Sequence, residues 1–87
     1  MKIVIVDKAN KELNKLPSGI REKIRAKLLD LKNNPISSQT KKLTEQPGYR
    51  LRVGDYRILY IIELDTSRII IFRIRHRKDV YRNMSSI

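Results

Sequence analysis

Eighty-seven residues, 40% of them hydrophobic, supply one small core, since two cores would leave neither half enough apolar surface to offset chain entropy. The formal charge of +11 points to nucleic acid or an acidic protein segment as partner rather than a membrane surface. No apolar run suits a spanning helix or a signal-peptide core, so a cytoplasmic location is expected, and the absence of cysteine excludes a disulfide framework, a zinc finger and a thiol nucleophile.

Lys2 to Val6 is a short β-branched run that suits a strand. Asp7 offers a helix N-cap, Ala9, Leu13 and Leu16 recur at helical spacing, and Pro17 stops that helix. Ser18 can cap a second helix in which Ile20, Ile24, Leu28 and Leu31 form one stripe supported by Leu29, while Arg21, Lys23, Arg25, Lys27 and Lys32 project elsewhere. Asn33-Asn34-Pro35 ends it, and the two helices are expected to form a hairpin packed on a sheet. Ile36 to Pro47 has no sustained period and reads as loop, anchored by Leu43.

The stretch Tyr49-Arg50-Leu51-Arg52-Val53-Gly54-Asp55-Tyr56-Arg57 alternates apolar and basic residues around Gly-Asp, which predicts a hairpin with a two-residue type II′ turn. Val53 then faces Tyr56, Arg52 faces Arg57, and Leu51 faces Ile58. The second strand continues to Leu64 and is apolar on both faces, which places it centrally. A three-residue loop, Asp65-Thr66-Ser67, would pair Ile62, Tyr60 and Ile58 with Ile70, Phe72 and Ile74. A two-residue loop would instead turn Arg73 and Arg75 into the core, a prohibitive cost for unpaired charges. In the favoured register Arg52, Arg57 and Arg75 form one row across three strands, flanked by Arg50 and Arg73. Arg77 to Met84 can add two helical turns. Strand, helix, helix, three antiparallel strands and a short helix make a single α+β domain over residues 1–87, with the helical hairpin on one sheet face.

Like charges facing each other across a sheet are destabilising, so the row makes little sense as a stability device. It is either a solvated face of a basic protein or a surface for phosphates and splayed RNA bases. Basic residues are mostly lysine up to Tyr49 and arginine from Arg50 on, apart from Lys78, and arginine's planar fork binds phosphate bidentately. His76, the only histidine, follows Arg75, and neighbouring cations favour its neutral, proton-accepting form. Tyr81 would have its phenol acidified in the same basic surroundings. Tyr49, Tyr56 and Tyr60 fall on the helix side and read as core. Asp55, Asp65 and Asp79 are accounted for by turns and capping, and carboxylates are too scattered for a metal-dependent nuclease site, so neither metal nor cofactor is expected.

The hairpin motif extended to Ile58-Leu59-Tyr60, together with Arg75-His76-Arg77-Lys78-Asp79-Val80-Tyr81, resembles the RelE branch of the RelE/ParE toxin superfamily over nearly the whole chain. The resemblance implies a type II toxin encoded with a cognate antitoxin, acting as an mRNA endoribonuclease in the ribosomal A site. In that chemistry, which needs no metal, the ribose 2′-hydroxyl attacks the adjacent phosphate and leaves a 2′,3′-cyclic phosphate. By position it implies that Arg50, Arg52, Arg57, Arg77 and Tyr81 are catalytic; Arg73, Arg75, Lys78 and Arg82 are expected to complete an RNA-binding surface. Some relatives carry lysine where Arg50 and Arg52 stand, and arginine hardly loses its proton, which makes His76 the preferred acceptor of the 2′-hydroxyl proton. Two alternatives stand beside this: a ParE-like inhibitor of DNA gyrase, and a catalytically silent module that binds RNA or antitoxin.

Overall fold

Apolar residues at every second position of the strands and every third or fourth position of two helices meet in one buried layer. The computed structural model describes residues 1–78. Its elements run β1 (Lys2–Ile5), α1 (Asp7–Asn14), α2 (Ser18–Asn33), β2 (Thr40–Lys42), β3 (Tyr49–Val53), β4 (Tyr56–Glu63) and β5 (Arg68–His76). The sheet order is β1-β5-β4-β3-β2, with β1 parallel to β5 and the other neighbours antiparallel. β4 is therefore central, as its two apolar faces require. Ala9 and Leu13 of α1 and Ile24, Leu28 and Leu31 of α2 close over Ile58, Tyr60, Ile69, Ile71 and Ile74 of the sheet. Each fully buried isoleucine contributes roughly 1.5–3 kcal/mol.

Several local expectations are corrected. Asp7 and Ser18 are the first residues of their helices rather than caps; Val6 and Pro17 hold the cap positions, and neither helix has a side-chain cap bond. Asp7 still lies in a first turn, where a carboxylate favours the helix dipole. Leu29 is 65% exposed and does not support the α2 stripe, since Ile24, Leu28 and Leu31 already fill the inward face. The segment after α2 is not all loop: Thr40–Lys42 pairs with β3 as an extra edge strand, and Leu43 beyond it is buried as expected. Gly48 closes that connection at φ +123, and a Cβ there would stand 2.7 Å from the Tyr60 carbonyl, so glycine is required.

The β4–β5 hairpin departs from the expected register at its inner end. Glu63 pairs with Arg68 across a four-residue loop, Leu64 to Ser67, in which Ser67 adopts φ 55. Arg68 also holds the Glu63 carboxylate at 2.7 Å, and its hydrogen bond with that of Thr66 keeps this acid below the usual carboxylate range. Ile62 and Tyr60 accordingly face Ile69 and Ile71 instead of Ile70 and Phe72. The register then shifts between Tyr60 and Leu59, leaving Phe72 as an extra residue on β5, and Leu59, Ile58 and Arg57 face Arg73, Ile74 and Arg75. Left alone, the inner register would have turned Arg73 and Arg75 into the core. The bulge prevents this, so the expected Ile58–Ile74 and Arg57–Arg75 pairs stand.

Candidate functional site

Gly54 has φ +58, and Ser67 is the only described non-glycine residue with positive φ, so the β3–β4 turn is of the II′ kind and pairs Val53 with Tyr56. Register alone then builds the row: Arg52 faces Arg57, Arg57 faces Arg75, and Lys41 on β2 faces Arg50. Because side chains alternate along a strand, Lys41, Arg50, Arg52, Arg57, Arg73 and Arg75 all project from the sheet face opposite the helices. Leu59 faces both Arg50 and Arg73 and is 6% exposed on that uncovered face, where long aliphatic stems on either side account for its burial.

The row is not uniform. At the β2–β3 end, Lys41, Arg50, Arg52 and Arg57 join Ser38, Gln39 and Gly54 around a cleft of about 560 Å³. Arg57 is 5% exposed, and its Nη1 donates to the carbonyls of Gly54 at 3.1 Å and Tyr56 at 3.0 Å. Among the described residues no carboxylate pairs with Arg57 or Arg52. A buried guanidinium cannot shed its proton, and leaving it without a counter-charge costs stability. At the other end Glu12 of α1 bonds Arg73 at 3.3 Å and lies 3.7 Å from Arg75 Nε. Its second oxygen accepts the Ile74 N–H at 2.9 Å. β1 covers β5 only as far as Ile71, where Val6 donates the last backbone bond and the chain turns into α1. Glu12 thus satisfies the sheet edge that β1 leaves open and neutralises the outer arginines.

His76 is not brought to this cleft. It faces Tyr56 in the register, on the helix side, with its ring edge-on to Tyr56 at 5.4 Å, and its Nδ1 accepts the Lys78 N–H at 3.3 Å. Arg77 does come to the arginine end: its N–H donates to Asp55 of the hairpin turn at 2.7 Å, and both Arg77 and Lys78 are exposed. Tyr81 and Arg82 lie outside the described residues. Tyr60 is core as expected, Tyr49 and Tyr56 pack partly buried against it, and the Tyr49 and Tyr60 rings stack at 5.7 Å. The Tyr60 hydroxyl donates to the Pro35 carbonyl and so steadies the loop that walls the cleft, while burial pushes its pKa up to about 12. Among the described residues no group of three or more His, Cys, Asp or Glu side chains could hold a metal ion, and no helix is long and apolar enough to cross a membrane.

Ser38, Gln39, Lys41 and Glu12 escaped the sequence reading. Lys41 could be placed only through β2, and Glu12 sits 61 residues from Arg73 in the chain, beyond any local pattern.

Comparison with known proteins agrees with this fold. Toxin RelE3 of Methanocaldococcus jannaschii is 34% identical over 86 residues, covering 93% of this chain and 96% of the relative. The toxin–antitoxin complex RelBE2 from Mycobacterium tuberculosis has a chain that superposes with a TM-score of 0.79 at 28% identity, covering 87% of this chain and 96% of that one. The RelB-RelE antitoxin–toxin complex from Methanococcus jannaschii gives 0.73 at 30% identity, covering 92% and 96%. The family model described as ParE toxin of type II toxin-antitoxin system, parDE, matches residues 3–81, and with the RelE relatives it establishes that the chain is a RelE-like toxin of the RelE/ParE superfamily.

Proposed function

We propose that this toxin cleaves ribosome-bound mRNA, the ribose 2′-hydroxyl attacking the adjacent phosphate to give a 2′,3′-cyclic phosphate and a free 5′-hydroxyl. The observation that carries the reading is Arg57, a buried guanidinium without a carboxylate partner among the described residues, set in a cleft with Arg50, Arg52 and Lys41. Its Nη1 is held by two backbone carbonyls, and its Nε and Nη2 would donate to an anion. The phosphorane carries more negative charge than the phosphodiester, and cations already in place stabilise it without reorganising. Arg50 and Arg52 would grip the phosphate and its neighbour, with Arg77 adding charge from beside the turn. Tyr81 would stack a base or assist proton transfer. His76 faces the helices and is not assigned the base. Arg73, Arg75, Lys78 and Arg82 would extend the RNA path, the first two once released from Glu12.

A charge of +11 suits an acidic antitoxin segment as cognate partner, in keeping with the toxin–antitoxin complexes among the structural relatives. The test is primer extension on mRNA programmed into ribosomes. The wild-type chain should cut it, and Arg57→Ala should cut on the order of 100 to 1,000-fold more slowly with an unchanged circular dichroism spectrum. Intact mRNA, or an Arg57→Ala variant as fast as wild type, overturns the reading, and gyrase inhibition in a supercoiling assay would then favour the ParE-like alternative.

A further inference from the structure

The loop of residues 37–39 separates two clefts of different charge. On one side lie Lys41, Arg50, Arg52 and Arg57. On the other, a cleft of about 420 Å³ runs between the C-terminal end of α2 and the loop, where Lys27, Asp30, Asn33, Asn34 and Gln39 surround a narrow apolar floor of Leu31 and Leu51. Ser38 and Gln39 line both clefts. The loop backbone is largely committed to holding its own shape. Ser37 N–H donates to Thr40 Oγ1 at 3.0 Å, that hydroxyl donates to the Ser37 carbonyl at 2.8 Å, and Gln39 N–H donates to Ser37 Oγ at 3.3 Å. The Gln39 carbonyl accepts from Arg52 N–H at 3.2 Å, tying the loop to the arginine strand. None of these bonds uses the Ser38 or Gln39 side chain, and both residues are exposed on a fixed support.

We propose that the second cleft is a nucleobase subsite, taking the base of the nucleotide whose phosphate lies among the arginines. The proposal rests on the RNA-directed reading above. Phosphate belongs among the four cations of the first cleft, which no carboxylate lines, whereas the second sets a single lysine, Lys27, beside Asp30. A base turned across the loop meets apolar surface for its ring and carboxylate and amide groups for its edge, within the size range of small-ligand pockets. The Asp30 carboxylate accepts hydrogen bonds only, so it favours the exocyclic amino groups of adenine and cytosine over uracil, whose one edge donor, N3–H, is flanked by two carbonyl oxygens that a carboxylate repels, and the Gln39 amide can both donate and accept.

The test is fluorescence anisotropy with labelled oligo-adenylate, oligo-cytidylate and oligo-uridylate and the whole chain at several salt concentrations. Wild type should bind the amino-bearing oligomers roughly five-fold or more tighter than oligo-uridylate. Asp30→Asn and Gln39→Ala should each bring that ratio towards unity while leaving the salt dependence, which reports the phosphate contacts, unchanged. Urea denaturation of both variants confirms that they fold. Equal binding of all oligomers by wild type, or a ratio that survives both substitutions, overturns the subsite. A base preference that responds to the substitutions in a chain that leaves ribosomal mRNA intact would uphold the subsite and remove the nuclease reading.

Discussion

Glu12 joins the sheet edge to the arginine row, so its removal has two effects of opposite sign. Its carboxylate, 20% exposed, accepts the Ile74 N–H at 2.9 Å and pairs with Arg73 and Arg75, whose side chains are 25% and 22% exposed. A charge-assisted bond to a shielded amide contributes about 1.5–3 kcal/mol, and partly exposed ion pairs add up to about 0.5 kcal/mol each, less the entropy of holding the side chains. Glu12→Ala should therefore lower the unfolding free energy by about 2–3 kcal/mol, a Tm decrease of roughly 10–20 °C for a domain of this size. Glu12→Gln keeps an oxygen for Ile74 and should cost about 1 kcal/mol, the share of the lost charge. Both variants release Arg73 and Arg75, so both should bind single-stranded RNA more tightly at low salt. The slope of log K against log salt should steepen by about 0.7 for each arginine that gains a phosphate. Urea titration and anisotropy measure the two effects separately. Unchanged stability of Glu12→Ala would refute the edge role, and an unchanged salt slope for Glu12→Gln would refute the neutralisation.

Gly48→Ala should destabilise the fold by about 1–3 kcal/mol in urea, because the new Cβ meets the Tyr60 carbonyl at 2.7 Å and Ile61 Cγ2 at 3.1 Å on a backbone at φ +123; wild-type stability would contradict that contact. The Tyr60 phenol is held up to about 12 from 10.0, so above pH 10 the unfolded chain loses a proton that the folded chain keeps, and stability falls as pH rises through that window. Denaturation midpoints of Tyr60→Phe between pH 9 and pH 11, about the ordinary tyrosine pKa, should lack this component, and an identical decline in both proteins would refute the assignment. His76→Ala should cleave mRNA within about ten-fold of wild type, whereas a loss of about 100-fold or more, the scale of a general base, would return His76 to the chemistry.

What could be read from the chain divides along physical lines. The β3–β4 hairpin was legible because a Gly-Asp turn and strict alternation fix register within nine residues, and the Arg52–Arg57 pair follows from it. The bulge was not, because Ile69 to Phe72 are apolar at every position and carry no parity signal. The requirement that Arg73 and Arg75 stay out of the core nevertheless gave the correct outer register through a different loop. β2 has three residues, two of them lysine, and becomes a strand only by pairing with β3. His76 was judged by its neighbours in the chain, but in a strand adjacent residues point to opposite faces, and being next to Arg75 placed it away from the cleft.

The bulge at Phe72 makes β5 behave as two short strands spliced end to end. Before it, Ile69 and Ile71 face the core; after it, Ile74 does, and the splice falls one residue past the last partner in β1. Deleting Phe72 alone would remove the bulge and join Ile71 to Arg73 with the alternation intact, leaving Arg73 and Arg75 on the open face, whereas pairing Phe72 with Leu59 would turn both arginines under the helices at a cost of several kcal/mol. The bulge takes up the odd residue between the four-residue loop and the arginine segment, so the two halves of β5 hold their facings independently of one another.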